Sequence, residues 1–111
     1  MKRYIKNSVI DTLDADFDGR LYLAENPNTS PELLDALAKD KDYLVRLSVA
    51  CNPNTSESTL RELSKQGSAD IRYAVAEHKN TPRDVLLKLS GDSDWYTRNR
   101  ALKSLGYPPK N

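Results

Sequence analysis

A fixed spacing of 26 residues constrains this chain more than any other feature of its sequence. Several sets of identical residues recur at that spacing between residues 20 and 98 of the 111-residue chain, without any insertion or deletion between the repeats. The recurring sets are Arg20, Arg46, Arg72 and Arg98; Ala24, Ala50 and Ala76; Asn28, Asn54 and Asn80; and Thr29, Thr55 and Thr81. A constant period of roughly 20 to 50 residues is typical of solenoids, whose units bury their apolar faces on one another. The sequence therefore predicts an array of repeated units.

Each unit carries the signals of two short helices. The first helices are predicted at 17–25, 43–51, 69–77 and 95–104, with N-caps at Asp16, Asp42, Ser68 and Asp94. Asn-Pro, or His-Lys in the third unit, ends each of the first three. The second helices are predicted at 30–39, 56–65 and 82–90, capped by Thr29, Thr55 and Thr81. Glu32 and Asp84 stand three residues after their threonines, as in a capping box, and Pro82 fits the first helical position.

Apolar residues at helical spacing predict the core and the ends of the array. The predicted core residues are Val45, Val49, Ala50, Ile71, Val75, Ala76, Leu34, Leu37, Ala38, Leu60, Leu63, Leu86 and Leu89. Ile5, Val9, Ile10 and Leu13 predict an amphipathic capping helix over 2–13, and Gly106 suits the position after a final helix. We expect one domain, with a cap over 1–13, repeats over 14–39, 40–65 and 66–91, a half-repeat over 92–105 and a tail over 106–111. The predicted fold is an all-α, right-handed α-solenoid of about three and a half repeats.

The repeated pattern D-x-D-x-x-x-R…A-x-N-P-N-T…L-x-x-L resembles the leucine-rich repeat variant family over about residues 14–105. The residues that carry the resemblance are Asp40, Asp42, Val45, Arg46, Val49, Ala50, Asn52, Pro53, Asn54, Thr55, Leu60 and Leu63. The resemblance implies paired short helices, α/α or α/3₁₀, in a right-handed superhelix related to HEAT repeats. It implies little about activity. The cysteine-bound iron–sulphur module of some relatives is not implied, because this chain lacks the cysteines.

Composition narrows the possible functions. The net charge is +1, so no bulk charge draws the chain to nucleic acid or to an anionic membrane. Residues 1–78 carry 10 basic and 13 acidic groups, whereas residues 79–111 carry 7 and 3. The single cysteine, Cys51, excludes an internal disulfide and a cysteine metal cluster. The first residues hold no apolar run long enough for a signal peptide or a membrane span, so we expect a cytoplasmic protein without a cofactor.

The repeated arginines admit two interpretations. Asp16, Asp42, Ser68 and Asp94 stand four residues before them, a spacing that suits ion pairs within a helix; a ladder of Asp–Arg pairs between units is equally consistent. The predicted structural ladder consists of Asp16, Arg20, Asp42, Arg46, Arg72, Asp94 and Arg98. The alternative is a row of cations that meets successive phosphates.

No residue pattern in the chain predicts catalysis. His78 has no second histidine for a dyad or a metal site, and no neighbour of Cys51 in the sequence is a base that would activate its thiol. The paired acids recur before helices at the unit boundaries, which favours capping over calcium binding. We therefore expect a protein that is not an enzyme.

An apolar strip on the first helices predicts a surface for a partner protein. Its members are Tyr22, Tyr43, Leu44, Leu47, Tyr73, Trp95 and Tyr96. Aromatic side chains are enriched at protein interfaces, although such a strip also fits residues that cover the neighbouring unit. The leading hypothesis is a non-enzymatic interaction module, either an adaptor or a stoichiometric inhibitor. It binds an unidentified protein and is itself a monomer or a weak homo-oligomer.

The basic C-terminal end carries the alternative hypothesis, nucleic-acid binding. Cations and aromatic rings occur together there, which suits phosphates and unpaired bases. These residues are Lys79, Arg83, Lys88, Arg98, Arg100, Lys103 and Lys110, with Trp95, Tyr96 and Tyr107. The acidic groups of the first three units would oppose wrapping, so only this end would bind.

Overall fold

The computed structural model describes residues 15–108, and within that range the chain is all-helical, with seven helices and no strand. The first helices of the units are α1 (Phe17–Glu25), α3 (Tyr43–Cys51), α5 (Ala69–Glu77) and α7 (Trp95–Leu105), and the second helices are α2 (Pro31–Leu37), α4 (Glu57–Leu63) and α6 (Arg83–Leu89). The first helices match their predicted bounds, apart from one added residue in α7. The second helices begin one residue later and end one or two residues earlier than predicted. The predicted helix over 2–13, and Lys110, lie outside the described residues.

The helices stack in a row. Each first helix packs against the first helix of the next unit, in the order α1, α3, α5 and α7, and each second helix contacts the helices that flank it in sequence. The fold measures 56 × 20 × 16 Å along its principal axes, as expected for stacked units rather than a bundle. All the predicted core residues are buried, and most are fully enclosed. The 26-residue period therefore places one apolar stripe per helix in a continuous core.

Polar side chains begin the first helices largely as predicted. Asp16 accepts the amide of Gly19, Ser68 that of Ile71 and Asp94 that of Thr97. Asp42 occupies the same position, but its carboxylate binds an arginine of the preceding unit instead of an amide.

The predicted threonine caps of the second helices are wrong. The N-caps are Ser30, Ser56 and Pro82, each one residue later. The three threonines are buried, and their hydroxyls donate 2.6 Å hydrogen bonds to the carbonyls of Leu23, Val49 and Val75. The turn thus places each threonine under the end of the first helix, where carbonyls lack partners within the helix. The capping boxes predicted with Glu32 and Asp84 are therefore also wrong, since the threonines do not cap these helices. Pro82 is the N-cap and precedes its helix instead of occupying the first helical position.

A column of polar side chains joins the units at the C-terminal ends of the first helices. We call Asn26, Asn52, His78 and Ser104, which are 26 residues apart, the asparagine column. The buried Asn52 amide donates to the carbonyls of Ala24 and Asn26 at 2.8 and 2.9 Å, and its oxygen accepts the Asn54 amide. In the next unit His78 Nδ1 accepts the Asn80 amide and Nε2 lies 2.7 Å from the Asn52 carbonyl. Histidine therefore reproduces the pairing of asparagine.

The last described helix ends at a glycine, as predicted. Gly106 has φ of 85°, in the left-handed region, and its amide donates to the carbonyls of Leu102 and Lys103. A residue with a Cβ would be strained in that conformation.

Candidate functional site

Four members of the predicted strip are exposed on the layer of first helices. Tyr22 in α1, Leu44 in α3, and Trp95 and Tyr96 in α7 have 66%, 50%, 48% and 67% of their surface accessible. Leu44 and Tyr96 are 52 residues apart, which is twice the period, so they occupy equivalent positions on their helices. The repeat therefore presents large apolar side chains on the same side of several units.

Two other members of the strip support the fold. Tyr43 and Leu47 are partly buried and pack against the hydrophobic core. The Tyr43 hydroxyl also donates to Asp70 of the next unit at 2.9 Å. Tyr73 is of intermediate exposure. The strip thus divides into supporting residues and an exposed group.

Two exposed residues sharpen the definition of this surface. Phe17, 36% exposed, is equivalent in the repeat to Trp95. The rings of Trp95 and Tyr96 meet edge to face, with centroids 5.0 Å apart and planes at 84°. We call Phe17, Tyr22, Leu44, Trp95 and Tyr96 the aromatic surface. Phe17 was absent from the predicted site, although its spacings of one period from Tyr43 and three periods from Trp95 were the available signal.

Two of the four repeated arginines, Arg20 and Arg72, form ion pairs between units. Arg20, only 7% exposed, donates through Nε to Asp40 at 2.7 Å and through Nη2 to Asp42. Arg72 binds both oxygens of Asp92, at 2.8 and 3.1 Å. The predicted members Asp16 and Asp94 cap helices instead, and Asp40 and Asp92 take their place. The sequence signal for these pairs is that each acid stands 20 residues after its arginine. We call the four repeated arginines and these acids the arginine ladder.

Because of the Arg72–Asp92 pair, the stability of the fold depends on the ionisation of the Asp92 carboxyl group. Burial alone would raise the pKa of Asp92, but hydrogen bonds from Arg72 and from the Asp94 amide outweigh it and hold that pKa below its ordinary value. A carboxyl group whose pKa is depressed on folding stabilises the fold above its unfolded pKa. That stabilisation is lost as the pH falls through the lower, folded pKa.

Asp92→Asn should therefore make stability less sensitive to acid. We expect a loss of about 3 kcal/mol in unfolding free energy at pH 6, because a mostly buried guanidinium loses its charge partner. The difference from the parent should shrink as the pH falls below the ordinary aspartate pKa of about 4, because the parent carboxylate becomes protonated there. Urea unfolding at several pH values measures both. Arg72→Met should show the same convergence, and a difference that stays constant with pH would contradict the assignment.

Within the described residues, Arg46 lacks the carboxylate partner that Arg20 and Arg72 have, as does Arg98. Nη1 of Arg46 donates to the Asp40 carbonyl at 2.7 Å, but Nε is buried and has no hydrogen-bond partner in the described part of the chain. Gln66 begins the third unit, at the position where the second unit has Asp40 and the half-repeat has Asp92.

The basic end is partly engaged in internal contacts. Arg98 donates to the Asp92 carbonyl at 2.8 Å, Arg100 lies 3.7 Å from Glu77, and Arg83 donates to the Tyr107 hydroxyl at 3.0 Å. Lys79, Lys88 and Lys103 are exposed. Three of the cations proposed for phosphates therefore have protein partners.

Within residues 15–108, no group of three or more histidine, cysteine or acidic side chains is placed to hold a metal ion. The Cys51 thiol is exposed, but partial burial and the charge of Glu77 raise its pKa, which disfavours the thiolate. No helix in that range has the length and apolar character to cross a bilayer.

Stacked two-helix units joined by repeated polar pairs define an all-helical repeat protein. The family model of the leucine rich repeat variant matches residues 69–94, which confirms the resemblance. That segment is therefore a repeat of the leucine rich repeat variant type, a HEAT-like helical repeat. No curated protein and no solved structure gives a significant match to the chain.

Proposed function

We propose that the chain is a non-enzymatic protein-interaction module, an adaptor or a stoichiometric inhibitor, that binds a partner protein through the aromatic surface. The observation that carries the proposal is the exposure of Leu44, Trp95 and Tyr96 on one layer of helices. Water-exposed tryptophan and tyrosine are costly to leave uncovered and are the residues most enriched among the strongest contributors to binding.

The backbone beneath the aromatic surface favours binding. All five of its residues lie on α-helices whose inner faces belong to a continuous core, so little backbone order must be gained on association. Tyr43 and Leu47, on the same layer of first helices, pack against the core and so fix the side chains around the aromatic surface. The partner would meet a rigid face with aromatic anchors near both ends.

The same proposal includes the finer architecture. The seven alternating helices of residues 15–108 support about three and a half repeats, and two short helices per 26 residues favour a right-handed superhelix. A right-handed array would present the first helices as one extended face, which suits a monomer or weak homo-oligomer that binds a larger partner.

Trp95→Ala/Tyr96→Ala should strongly weaken partner binding in a chain that still folds. Affinity enrichment from the native host, with the parent and the variant as baits, identifies the candidate partner. Titration of the purified partner then measures its affinity. We expect at least a 30-fold loss, since truncation of such residues costs about 2 kcal/mol or more.

Leu87→Ala provides the matched control. Leu87 is 48% exposed, as Trp95 is, but it lies on a second helix, outside the aromatic surface. Equal affinity of the parent and the double variant would overturn the proposal. Nucleic-acid binding is a separate outcome: tight binding of labelled DNA at physiological salt, lost in Arg98→Glu/Arg100→Glu, would replace protein binding as the function.

A further inference from the structure

The exposed charges of helices α1, α3 and α5 are all acidic. They occupy two equivalent positions of the repeat, and we call them the acidic patch: Asp18, Glu25, Asp70 and Glu77. The cations of these helices are the ladder arginines, which are less exposed and donate hydrogen bonds to acids or carbonyls of the chain. Exposed lysines stand in the turns beside the helices, at Lys39, Lys41, Lys65 and Lys79. Along these three helices the exposed charge is therefore negative.

The acids of this patch keep most of their charge uncompensated. Asp18 and Glu25 form no ion pair within residues 15–108. Asp70 accepts a hydrogen bond from the neutral Tyr43 hydroxyl, and the Glu77 carboxylate lies 3.7 Å from Arg100. On the second helices, by contrast, three acids pair with cations: Asp35 with Lys39 at 3.2 Å, Glu62 with Lys65 at 3.3 Å and Asp84 with Arg61 at 2.5 Å. Ion pairing thus neutralises much of the charge on the second helices and little of it on the acidic patch.

Exposed apolar side chains alternate with the acidic patch. Leu44 stands at the same repeat position as Asp18 and Asp70, one unit away from each. Because packed helix axes are about 8–10 Å apart, the helix that carries Leu44 has an acidic helix about 10 Å to either side. Tyr22 stands four residues after Asp18 and three before Glu25, on the same side of α1. A partner that covers Tyr22 and Leu44 must therefore also meet the carboxylates.

We propose that the acidic patch selects a partner protein whose docking segment alternates lysine or arginine with apolar residues. Its cations pair with the patch, and its apolar side chains contact Tyr22 and Leu44 of the aromatic surface. Complementary charge favours association with such a segment, whereas the uncompensated carboxylates would repel an acidic segment or a nucleic acid. The sign of the charge reverses on α7, at Arg100 and Lys103, so the basic segment lies over α1 to α5. This preference rests on the proposed function, since it names the chemistry of the partner that covers the aromatic surface.

Selection of a random-peptide library, displayed on phage, against the immobilised full chain tests this preference without a known partner. We expect the enriched peptides to carry at least two lysine or arginine residues with an apolar residue between them. A synthetic peptide of the enriched sequence should bind about fivefold more weakly when sodium chloride is raised from about 50 to about 500 mM, because exposed ion pairs are screened. Enriched peptides without net positive charge, or the absence of any enriched sequence, would overturn the proposal.

Asp18→Asn/Asp70→Asn is the decisive variant, because it removes two charges and keeps two hydrogen-bond acceptors. We expect the enriched peptide to bind this variant about fivefold more weakly than the parent. Glu32→Gln/Glu57→Gln is the matched control, since it removes two exposed carboxylates from the second helices and should leave the affinity unchanged. Equal affinities of the parent and the Asp18→Asn/Asp70→Asn variant, or equal losses in both double variants, contradict the assignment.

Two further comparisons separate failure of this preference from failure of the proposed function. Tighter peptide binding by Lys2→Gln/Arg3→Gln/Lys6→Gln would overturn an external partner in favour of the chain's own basic N-terminal residues. A native partner whose binding is weakened by Trp95→Ala/Tyr96→Ala but not by Asp18→Asn/Asp70→Asn would overturn the basic docking segment and leave the proposed function standing. Binding that neither variant weakens would overturn both.

Discussion

Replacing Arg20 with methionine should lower the free energy of unfolding by about 4 kcal/mol. Arg20 is almost fully enclosed, and the Asp40 side chain that it binds is only 4% exposed. Methionine retains much of the apolar packing, so the loss isolates the charge. A buried carboxylate left without its partner costs about 3–5 kcal/mol. Urea unfolding followed by circular dichroism measures the loss.

Arg46→Met is the matched control, because it makes the same change at the equivalent position of the next unit. Arg46 binds a backbone carbonyl but no carboxylate, so we expect a loss of only about 1 kcal/mol. Arg20→Met/Asp40→Asn should recover part of the Arg20→Met loss, since the amide leaves no buried charge. Equal losses for Arg20→Met and Arg46→Met would show that the ion pair contributes nothing beyond the arginine's other contacts.

Asn52→Ala is the second substitution with a large expected effect, about 3 kcal/mol. Asn52 is 2% exposed, and its side chain bonds the carbonyls of Ala24 and Asn26 and the amide of Asn54. Alanine leaves the Ala24 carbonyl and the Asn54 amide without this partner, whereas the Asn26 carbonyl still accepts the Thr29 amide. Each buried group that stays unpaired costs about 1–3 kcal/mol. Some should regain water at the turn, which keeps the total near the lower end.

His78 tests whether hydrogen bonding, rather than side-chain volume, is what the asparagine column requires. His78→Asn should change stability by less than about 1 kcal/mol, because asparagine fills this position in the two preceding units. His78→Ala should cost more than His78→Asn, since only alanine lacks both the donor and the acceptor. If the two variants unfold alike, the bonds between His78, Asn52 and Asn80 are not stabilising. Thermal and urea unfolding with the same spectroscopic signal make the comparison.

The first helices and the core were predictable because their signals are local. A polar residue, a short apolar stripe and an Asn-Pro stop specify a helix of nine residues with few alternatives. In the first two units the second-helix caps were missed because threonine and the serine after it satisfy the same rule, and in the third unit the N-cap is Pro82, which has no capping side chain. The choice depends on which side chain lies under the preceding helix, and the one-dimensional pattern does not contain that information.

The arginine partners and the exposed surface depend on packing between units. Arg20 has acids at four residues before it and at 20 and 22 after it, and only stacking places the later pair beside it. Tyr43 and Trp95 are equivalent in the repeat, yet Tyr43 reaches Asp70 of the following unit and is partly covered, whereas Trp95 is half exposed. Periodicity predicts which residues share a side of the array, but not how far a neighbour covers each one.

The boundary between the second and third units bears on how the array loses its structure. It has Gln66 in place of an acid, and Arg46 binds a backbone carbonyl in place of a carboxylate, so we expect it to be the weakest coupling in a system of nearest-neighbour energies. Within the described residues, about two units lie on each side, fewer than the roughly three that such arrays need for stability. Once the contacts at this boundary are lost, we expect that neither half of the array would stay folded on its own. Loss of this one boundary therefore unfolds both halves together, and we expect the whole array to melt in a single transition.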